Sequence, residues 1–521
     1  MIFRSRFPDV EIPEVGLAEF VIEKAETYGD RPALIDGPTG RTVTYAGLAR
    51  TVRALAAGLA QRGFGKGDVL AVYSPNLPEY AAVLHAVAML GGVTTTVNPL
   101  YTARELTEQV SDAGARLLIT VPPLLERALE ASRQAGVKDV FVFGEAKEAS
   151  SFASLLQSGE RVPPVSIAPR TDVVVMPYSS GTTGLPKGVM LTHYNLVANI
   201  CQSEAMFPME VERVIAVLPF YHIYGLTVLL NISLHRGDTV VTMPRFDLEQ
   251  FLQLMQQHGV TRAFVVPPIV LALAKHPLVE KYNLGSLRSI NSGAAPLGAN
   301  IEQACENRLH CFVAQGYGLT ETSPVVSTTP IDPALRRAGS AGLLIPNTEC
   351  KVVDPASSAE LEANQQGEVC VRGPQVMKGY LNQPAATAAM LEPDGWLHTG
   401  DIGMVDQDGY LFIVDRLKEL IKYKAFQVAP AELESLLLKH PAVADAAVIP
   451  HPDPEAGEVP KAFVVMKGQA SPEELMAFVN GQVAPFKKIR LLEVVDQIPK
   501  SPAGKILRRT LIERERSHAG A

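Results

Sequence analysis

The sequence predicts an α/β protein. It indicates a large N-terminal domain of layered, mainly parallel sheets with helices plus an antiparallel β subdomain, followed by a small α+β C-terminal domain. Two observations give this fold class. Residues 44 to about 320 alternate between helical and strand periodicity. Beyond about residue 339 the strands become short and are separated by turn residues, and a third, more charged pattern begins after residue 416. With 521 residues, the chain is long enough for several such packing units.

The N-terminal alternation begins with a helix whose apolar residues recur every three or four positions between Leu48 and Leu59, and Gly63 ends it. Further helices are predicted at 82–90 and 103–113. Continuous apolar strands between amphipathic helices are typical of a parallel sheet covered on both faces. These strands are predicted at 69–72, 93–97, 116–121, 173–176, 214–218, 239–242 and 263–266.

The second part of the chain changes character twice. Short strands bounded by Gly, Asn-Gln-Pro and Asp-Gly turns favour an antiparallel subdomain at 339–414. A charged helix, an apolar strand, another helix and strand, and a basic C-terminal helix then predict a separate α+β unit. The chain is accordingly divided into a large domain at 1–414, a hinge at 415–418 and a small domain at 419–521.

Composition excludes several classes of function. The chain has 47 basic and 55 acidic side chains, a formal charge of −8, so nucleic acid is not predicted as a partner. Five scattered cysteines without a Cys-x-x-Cys pair predict neither a disulfide framework nor a structural zinc site. The start of the chain lacks the apolar run of a signal peptide, and the apolar stretches at 80–93 and 263–274 are too short to span a bilayer. We therefore expect a cytoplasmic protein with no transmembrane segment, of unknown oligomeric state.

A segment rich in glycine and hydroxyl groups carries the clearest chemical signal. Residues 178–188 read Tyr-Ser-Ser-Gly-Thr-Thr-Gly-Leu-Pro-Lys-Gly and lie between a predicted strand and a helix predicted to begin near Thr192. Glycines let backbone N–H groups turn inward, hydroxyls add donors and Lys187 adds positive charge, a combination that suits a polyphosphate. A Walker A loop needs Ser or Thr directly after its lysine, but Gly188 follows Lys187 here, so a different phosphate loop is predicted.

Six further motifs follow this segment in order. They are 220–225 (Phe-Tyr-His-Ile-Tyr-Gly), 292–297 (Ser-Gly-Ala-Ala-Pro-Leu), 315–321 (Gln-Gly-Tyr-Gly-Leu-Thr-Glu), 395–401 (Gly-Trp-Leu-His-Thr-Gly-Asp), 415–424 (Asp-Arg-Leu-Lys-Glu-Leu-Ile-Lys-Tyr-Lys) and 501–506 (Ser-Pro-Ala-Gly-Lys-Ile). Together the motifs resemble the signature of the AMP-forming adenylating superfamily, which includes acyl- and aryl-CoA synthetases, peptide-synthetase adenylation domains and firefly luciferase. The resemblance covers about residues 15–510 and is strongest to 4-coumarate–CoA ligases and bacterial cinnamate–CoA ligases.

The resemblance implies a two-step carboxylic acid–CoA ligase. The acid attacks the α-phosphorus of ATP to give an acyl-adenylate and pyrophosphate, and the acyl group then passes to the CoA thiol. Mg²⁺ is the implied cofactor, with Glu321 as its oxygen ligand, and ATP and CoA are co-substrates. The small C-terminal domain is expected to be mobile. It would present Lys505 for adenylation and Lys422 for thioester formation, with Lys418 at the hinge.

The same resemblance assigns residues to four functions. The catalytic set is Lys505, Lys422, His222, Thr183 and Glu321. The set that binds ATP and AMP is Ser179, Ser180, Gly181, Thr182, Thr183, Gly184, Lys187, Ala294, Ala295, Gln315, Gly316, Tyr317, Thr320, Asp401, Arg416 and Lys505. The acyl pocket is formed by His222, Tyr224, Val228, Asn291, Gly293, Ala294, Gly316, Gly318, Pro324 and Val325. The residues assigned to CoA are Arg245, Lys424 and Ala425.

Ala425 is a departure from the family, whose members usually carry glycine after the Lys-Tyr-Lys string. In relatives this backbone abuts the pantetheine arm of CoA, so a Cβ atom there narrows the tunnel. We expect Ala425→Gly to leave pyrophosphate release unchanged and to speed acyl transfer to CoA, measured as the rate of thioester formation. Equal thioester rates in the two proteins would show that the methyl group is accommodated.

The acid and the acceptor are less narrowly predicted. Small residues in the pocket leave room for a ring or an extended chain, so a cinnamate-type acid is the first expectation and a medium- or long-chain fatty acid the second. Asn291 stands where plant enzymes often carry lysine, and a phenol-binding group is therefore not implied. Transfer to a free carrier protein and luciferase-like oxygenation stay open. A nucleotide-binding regulator without activity is disfavoured because Glu321, Asp401 and Lys505 are all present.

Overall fold

The computed structural model describes residues 1–521 except 157–160, 180–185, 208–209, 418, 424–425, 454, 484, 502–503 and 520–521. Its strands are β1 (Ile2–Arg4), β2 (Pro32–Asp36), β3 (Thr42–Thr44), β4 (Val69–Tyr73), β5 (Val93–Val97), β6 (Ala115–Thr120), β7 (Asp139–Val142), β8 (Ser150–Ser151), β9 (Val173–Ser179), β10 (Lys187–Thr192), β11 (Arg213–Ala216), β12 (Thr239–Thr242), β13 (Arg262–Val265), β14 (Ser289–Ser292), β15 (Phe312–Gly318), β16 (Val325–Thr328), β17 (Leu343–Leu344), β18 (Glu349–Val353), β19 (Gly367–Arg372), β20 (Gly379–Tyr380), β21 (Leu397–Val405), β22 (Leu411–Arg416), β23 (Ile421–Tyr423), β24 (Phe426–Val428), β25 (Val443–Asp453), β26 (Gly457–Met466) and β27 (Leu491–Val494).

The α-helices alternate with these strands in the first part of the chain. They are α1 (Lys24–Thr27), α2 (Tyr45–Gln61), α3 (Pro78–Met89), α4 (Ala103–Asp112), α5 (Leu125–Ala135), α6 (His193–Glu204), α7 (Ser233–Arg236), α8 (Leu248–His258), α9 (Pro267–Lys275), α10 (Ala299–Leu309), α11 (Pro384–Ala388), α12 (Pro430–Leu437), α13 (Pro472–Asn480) and α14 (Arg508–Ala519). Two π-helical segments precede α1 and α7, at Glu19–Glu23 and Tyr224–Ile232. No helix in the described part of the chain is both long and apolar enough to cross a membrane.

Two layered sheets form the large N-terminal region. Among the described strands, one sheet has the order β20-β10-β9-β5-β4-β6-β7-β8 and the other β17-β16-β15-β14-β13-β11-β12-β2-β3. The inner strands of both sheets pair in parallel, which confirms the predicted fold class. Helices cover the sheets, and one apolar core contains fully buried aromatic side chains such as Tyr45, Tyr80, Phe141, Phe220 and Phe251.

Local sequence signals set the helix ends. The Thr102 hydroxyl accepts a hydrogen bond from the Glu105 N–H at the start of α4, and the Glu105 carboxylate accepts one from the Thr102 N–H. Helix α8 begins after Asp247, which caps the N–H of Gln250, and it ends at Gly259 with φ of 57°. Because each helix begins and ends at a defined residue, the chain can enter the next strand in the same direction. The loops that lead from strands to helices therefore lie together at the carboxyl ends of the parallel strands.

The antiparallel subdomain has strand order β1-β18-β19-β21-β22. Its first strand comes from the start of the chain, where Phe3 lies opposite Cys350. A three-residue strand has no measurable periodicity, and the sequence analysis placed the subdomain at 339–414 without it. Strand β22 also continues past residue 414, ending at Arg416.

The C-terminal region has its own sheet, with order β24-β23-β26-β25 and with β27 parallel to β26. Apolar residues including Ile421, Leu433, Val448, Val464 and Leu475 form its core. Helices and a mainly antiparallel sheet make this unit α+β, as expected. The hinge position at 415–418 and the mobility of the unit stay predictions, and Lys418 lies outside the described residues.

Strand β10 is among the strands that the sequence analysis did not predict. A helix was expected soon after the loop at 178–188, and α6 does begin at His193, but β10 comes between them and pairs antiparallel with β9. Buried and partly exposed residues alternate along β10: Val189 and Leu191 are fully buried, while Met190 is partly exposed. A six-residue strand next to a Gly-rich loop is easily obscured by the stronger loop signal.

Candidate active site

The candidate active site lies where two parallel strands of the larger sheet end together. Strands β14 and β15 pair with Ser292 opposite Gln315, so the segments at 293–297 and 316–321 leave the sheet side by side. Such adjacent carboxyl ends of strands are where open α/β sheets bind ligands. Residues from two other parts of the fold reach the same place: Asp401 and Arg416 from the antiparallel subdomain and Lys505 from the C-terminal region.

Asp401 is the centre of a buried polar group. Its Oδ2 accepts a hydrogen bond from Tyr317 Oη at 2.7 Å, and its Oδ1 lies 3.3 Å from Arg416 Nε. Asp401 and Arg416 lie directly opposite each other on β21 and β22. Burial raises the pKa of the Asp401 carboxyl above its ordinary value, while Arg416 and the hydrogen bond from Tyr317 oppose that rise. The result is a fixed carboxylate, suited to accept hydrogen bonds from two neighbouring hydroxyls of a ligand.

Glu321 offers a second buried carboxylate. Its Oε1 accepts hydrogen bonds from Ser179 Oγ at 3.1 Å and from Tyr380 Oη at 2.8 Å. Within the described residues, no hydrogen-bond donor is found for its Oε2. A buried carboxylate with one oxygen held and the other available has the donor chemistry that Mg²⁺ prefers. The chain therefore fits a magnesium ion at Glu321.

The ends of the phosphate loop lie beside Glu321. Ser179 and Lys187 are paired residues on β9 and β10, so they close the loop between them. Lys187 Nζ lies 5.0 Å from the centre of the Tyr380 ring, a cation–π contact that holds the lysine near Glu321. The predicted residues Ser180, Gly181, Thr182, Thr183 and Gly184 lie outside the described residues.

Lys505 is carried by a tight turn. The Lys505 N–H donates to Ser501 Oγ at 3.2 Å, and the Ser501 N–H donates to the Lys505 carbonyl at 2.8 Å. Gly504 has φ of 75°, and a Cβ atom there would lie 2.9 Å from Val266 Cγ2, so glycine permits close packing on the large domain. Burial first and the charge of Arg416 second lower the pKa of the Lys505 amine to about 8.

The lowered pKa of Lys505 gives a pH prediction. The amine loses its proton as the pH rises through about 8, so kcat/KM for any reaction that needs the ammonium should decline above that pH. Lys505→Arg keeps the charge, because a guanidinium stays protonated at these pH values. We expect the alkaline limb of the Lys505→Arg profile to move up by at least about one pH unit, although its maximum is lower. An unmoved limb would contradict this assignment.

His222 lies just beyond β11, in the loop before the π-helical segment. Its Nδ1 accepts a hydrogen bond from the Tyr224 N–H at 3.2 Å, which places the ring proton on Nε2. Burial, assisted by the charge of Lys505, lowers the pKa of His222 to about 4. His222 is therefore a neutral donor at physiological pH, within electrostatic reach of Lys505.

The predicted acyl pocket is built around Tyr224. Its Oη donates to the Asn291 carbonyl at 3.2 Å, and a Cβ atom at Gly293 would lie 2.8 Å from its ring. A Cβ atom at Gly318 would lie 1.9 Å from the Pro324 carbonyl oxygen. A side chain at Gly293 would therefore collide with the Tyr224 ring, and one at Gly318 would collide with the backbone of Pro324. The structure places Tyr224, Asn291 and Gly293 in direct contact.

The remaining members of the pocket and of the nucleotide set occupy the same strand ends. Val228 is buried in the π-helical segment, and Val325 begins β16 opposite Gly318. Ala294 is exposed and has φ of 69°, a conformation rare for a residue with a side chain. Ala295, Gly316 and Thr320 are partly exposed: Gly316 lies in the last part of β15, and Ala295 and Thr320 follow β14 and β15.

The structure gives one predicted residue a different environment. The Gln315 side chain accepts from the Leu297 N–H at 3.0 Å and donates to the Leu297 carbonyl and to Glu302. Its amide therefore holds the loop after β14 in place and is already occupied. Sequence reasoning placed Gln315 beside the adenine, but its backbone N–H and carbonyl are also bonded, both to Thr329.

Of the three residues assigned to CoA, the described part of the chain contains Arg245 alone. Arg245 is exposed, and Lys424 and Ala425 lie outside the described residues. Lys422 is exposed on β23, where its N–H donates to Glu458 at 2.7 Å. The described contacts include none between Lys422 and the group around Asp401. The structure thus presents Lys505, and not Lys422, to the candidate site.

Two site residues were missed by sequence reasoning. Tyr380 bonds Glu321 and lies beneath Lys187, and Glu419 lies near Lys505 and pairs with Arg508 at 2.5 Å. Tyr380 follows a glycine with φ of 145°, in the segment Lys-Gly-Tyr at 378–380. The signal that the sequence offered was a tyrosine directly after a glycine, because a tyrosine ring combines an apolar body with a polar tip.

Comparison with known proteins identifies the family to which the chain is similar. The family description "AMP-binding enzyme" matches residues 21–381, and "AMP-binding enzyme C-terminal domain" matches residues 432–505. A 4-coumarate–CoA ligase of Petroselinum crispum is 43% identical over 523 aligned residues, covering 98% of this chain and 96% of the relative. One from Oryza sativa subsp. japonica is 44% identical over 523 residues, with the same coverage of both chains.

Solved structures agree with the fold. ATP-bound MatB from Rhodopseudomonas palustris superposes with a TM-score of 0.87 at 29% identity, covering 96% of this chain and 99% of that one. An o-succinylbenzoate CoA synthetase from Bacillus subtilis, bound to its acyl-adenylate, gives a TM-score of 0.82 at 29% identity, covering 96% and 98%. Since the family match covers more than half of the chain and full-length relatives exceed 40% identity, the chain belongs to the family of AMP-binding enzymes.

Proposed function

We propose that this protein is an AMP-forming carboxylic acid–CoA ligase that activates an aryl acid of the cinnamate and 4-coumarate type. The observation that carries the proposal is the convergence of Asp401, Arg416, Glu321 and Lys505 on one site from three parts of the fold. Its relatives over 98% of the chain are 4-coumarate–CoA ligases. No observation favours the fatty acid or carrier-protein alternatives.

In the proposed mechanism, the nucleotide is held by groups from both large sheets and the subdomain. Asp401 accepts hydrogen bonds from the two ribose hydroxyls, and Arg416 keeps that carboxylate ionised. Tyr317, Gly316 and the loop after β14 flank the adenine, and Thr320 bonds the α-phosphate. Ser179, Lys187 and the loop between them bind the β- and γ-phosphates. Mutual contacts fix Tyr317, Asp401 and Arg416 before the nucleotide binds, which lowers the cost of ordering these three side chains.

Glu321 is the proposed magnesium ligand. Bound Mg²⁺ supplies positive charge to the phosphate oxygens of ATP. Ser179 and Tyr380 orient the carboxylate by donating to its Oε1. The same two contacts connect the metal ligand to the phosphate loop and to the residue beneath Lys187.

Lys505 and His222 act where the acid meets ATP. Two anions must approach each other there, so a positive charge that touches both lowers the barrier. Protonated Lys505 supplies that charge in the orientation that this structure holds. Neutral His222, with its proton on Nε2, donates to the carboxylate of the acid. After pyrophosphate leaves, the C-terminal unit turns, Lys505 is withdrawn and Lys422 and Ala425 face the site for transfer to CoA.

The decisive experiment is acid-dependent exchange of pyrophosphate into ATP. Cinnamate, 4-coumarate, hexanoate and palmitate are compared, and thioester formation is then measured with CoA. We expect the two aryl acids to stimulate exchange most and to yield CoA thioesters. Failure of every acid to stimulate exchange would contradict the ligase proposal, whereas preference for an aliphatic acid would contradict only the substrate class.

A further inference from the structure

A bulge in β21 turns Asp401 into the nucleotide site. In the pairing of β19 with β21, Glu368 lies opposite Ile402 and Cys370 lies opposite His398. One residue of β19 therefore faces three residues of β21: Thr399, Gly400 and Asp401. Gly400 takes φ of 69° at the centre of this bulge. Bulges of this kind redirect a side chain out of the regular alternation of a strand.

Three backbone groups of the bulge find partners nearby, the N–H groups of Gly400 and Asp401 and the Gly400 carbonyl. The Asp401 N–H donates to Thr399 Oγ1 at 3.1 Å, and that hydroxyl donates to the Val369 carbonyl at 2.6 Å. The Gly400 carbonyl accepts from the Leu417 N–H at 2.9 Å. The Gly400 N–H donates to Glu368 Oε1 at 3.0 Å. A side chain from the neighbouring strand thus holds the residue that directly precedes Asp401.

Glu368 is itself fixed by a chain of charged side chains. Its Oε2 lies 3.0 Å from His398 Nδ1, and His398 Nε2 lies 2.8 Å from Glu392 Oε1. Glu392 in turn lies 3.4 Å from Lys351 Nζ. Although burial alone would lower the pKa of His398, its hydrogen bonds to Glu368 and Glu392 raise it above the ordinary value. Only 13% of the Glu368 side chain is exposed, so this contact is well shielded from water.

We propose that Glu368 is a positioning residue for ATP binding, which sets the direction of Asp401 through the Gly400 N–H and is held in place by His398 and Glu392. Glu368 does not touch the nucleotide in this proposal. The inference rests on the proposed function, in which Asp401 accepts from the ribose hydroxyls. It assigns a role to the His-Thr-Gly-Asp segment at 398–401 that a ligand contact alone does not explain.

A transition-metal site is the competing use of this cluster. Glu368, Cys370 and His398 bring a carboxylate oxygen, a sulfur and a nitrogen within 4.8 Å of one another. However, Glu368 and His398 already bond each other and two further groups, and burial raises the pKa of the Cys370 thiol far above its ordinary value. Hydrogen bonding therefore accounts for the cluster, and it links the cluster to the bulge.

The test compares ATP with 2′,3′-dideoxy-ATP in acid-dependent exchange. In the wild-type enzyme, removal of the ribose hydroxyls deprives Asp401 of its ligand and should lower kcat/KM by about 100-fold. Glu368→Ala and the milder Glu368→Gln should raise KM for ATP, by about 5- to 10-fold for the alanine variant. Neither variant should change kcat/KM for the dideoxy nucleotide by more than about twofold. Removing the ribose hydroxyls and removing the Glu368 carboxylate both act on the same interaction, that between Asp401 and the ribose.

Glu349→Gln is the matched control. Glu349 is a carboxylate of the same sheet that pairs with Arg4 and Arg372 and makes no contact with the bulge. The Glu349→Gln variant should leave the ratio of kcat/KM for ATP to kcat/KM for the dideoxy nucleotide unchanged. An equal loss for both nucleotides in Glu368→Ala and Glu368→Gln would indicate a general structural role and overturn the inference. Wild-type enzyme can also be stripped of transition metals and assayed with Mg²⁺ present. If it then no longer prefers ATP to the dideoxy nucleotide in kcat/KM, the inference is overturned in favour of a metal site.

The two proposals fail in different ways. Wild-type protein without acid-dependent exchange contradicts the ligase function and the inference together. An active wild-type enzyme that discriminates between the nucleotides, with an unchanged ratio in the Glu368 variants, contradicts the inference alone.

Discussion

Replacing Lys505 with alanine is expected to reduce the rate of adenylate formation by about 10²–10³-fold, the typical cost of removing one preorganised donor from a charge-stabilising site. The amine lies within electrostatic reach of Asp401, Arg416 and His222. Among the described residues, the cations that act on Lys505 are Arg416 and Arg508, and both are already paired, with Asp401 and with Glu434. The rate is measured as acid-dependent exchange of pyrophosphate into ATP.

The second half-reaction separates this effect from misfolding. With pre-formed acyl-adenylate and CoA, the Lys505→Ala enzyme should form thioester within about threefold of the wild-type rate, since Lys505 is withdrawn in that step. Lys500→Ala is the matched control: this lysine lies in the same turn but pairs with Asp445 at 2.6 Å. It should lose little exchange activity. Equal exchange rates in wild-type and Lys505→Ala enzyme would remove the central step of the mechanism.

Some of this architecture was predictable because each signal is local. The strand at 239–242 has the same bounds in the sequence analysis and in the structure, since four consecutive β-branched residues, Thr-Val-Val-Thr, define it. The mainly parallel sheets follow from the repeated alternation of strand and helix periods. The phosphate loop was predicted between a strand and a helix, whereas its two described ends, Ser179 and Lys187, pair as residues of two strands.

Other features depend on contacts between distant parts of the chain. The pairing of β1 with β18 joins residues more than 340 positions apart, and no local pattern specifies it. The contacts of Tyr380 with Glu321, and of Glu368 with Gly400, are likewise set by sheet register. Which of Lys505 and Lys422 faces the site depends on how one unit packs on another. Local periodicity says nothing of that packing, whereas Gly504 against Val266 shows it directly.

Asp401→Asn should have two separable effects. The substitution keeps the size of the side chain but removes the charge that accepts from the ribose hydroxyls, so KM for ATP should rise by about 10- to 100-fold. It also leaves Arg416 without its carboxylate partner. Because a third of the Arg416 side chain stays exposed to water, we expect a loss of about 1–3 kcal/mol in unfolding free energy, less than for a fully buried pair.

The double variant Asp401→Asn with Arg416→Gln tells these effects apart. Neutralising Arg416 removes the unpaired charge, so thermal unfolding should recover part of the lost stability relative to Asp401→Asn alone. ATP binding should not recover, because the ribose still lacks its carboxylate. A KM for ATP within threefold of wild type in Asp401→Asn would mean that the ribose is held elsewhere. Recovery of ATP binding in the double variant would mean that the carboxylate serves only to neutralise Arg416.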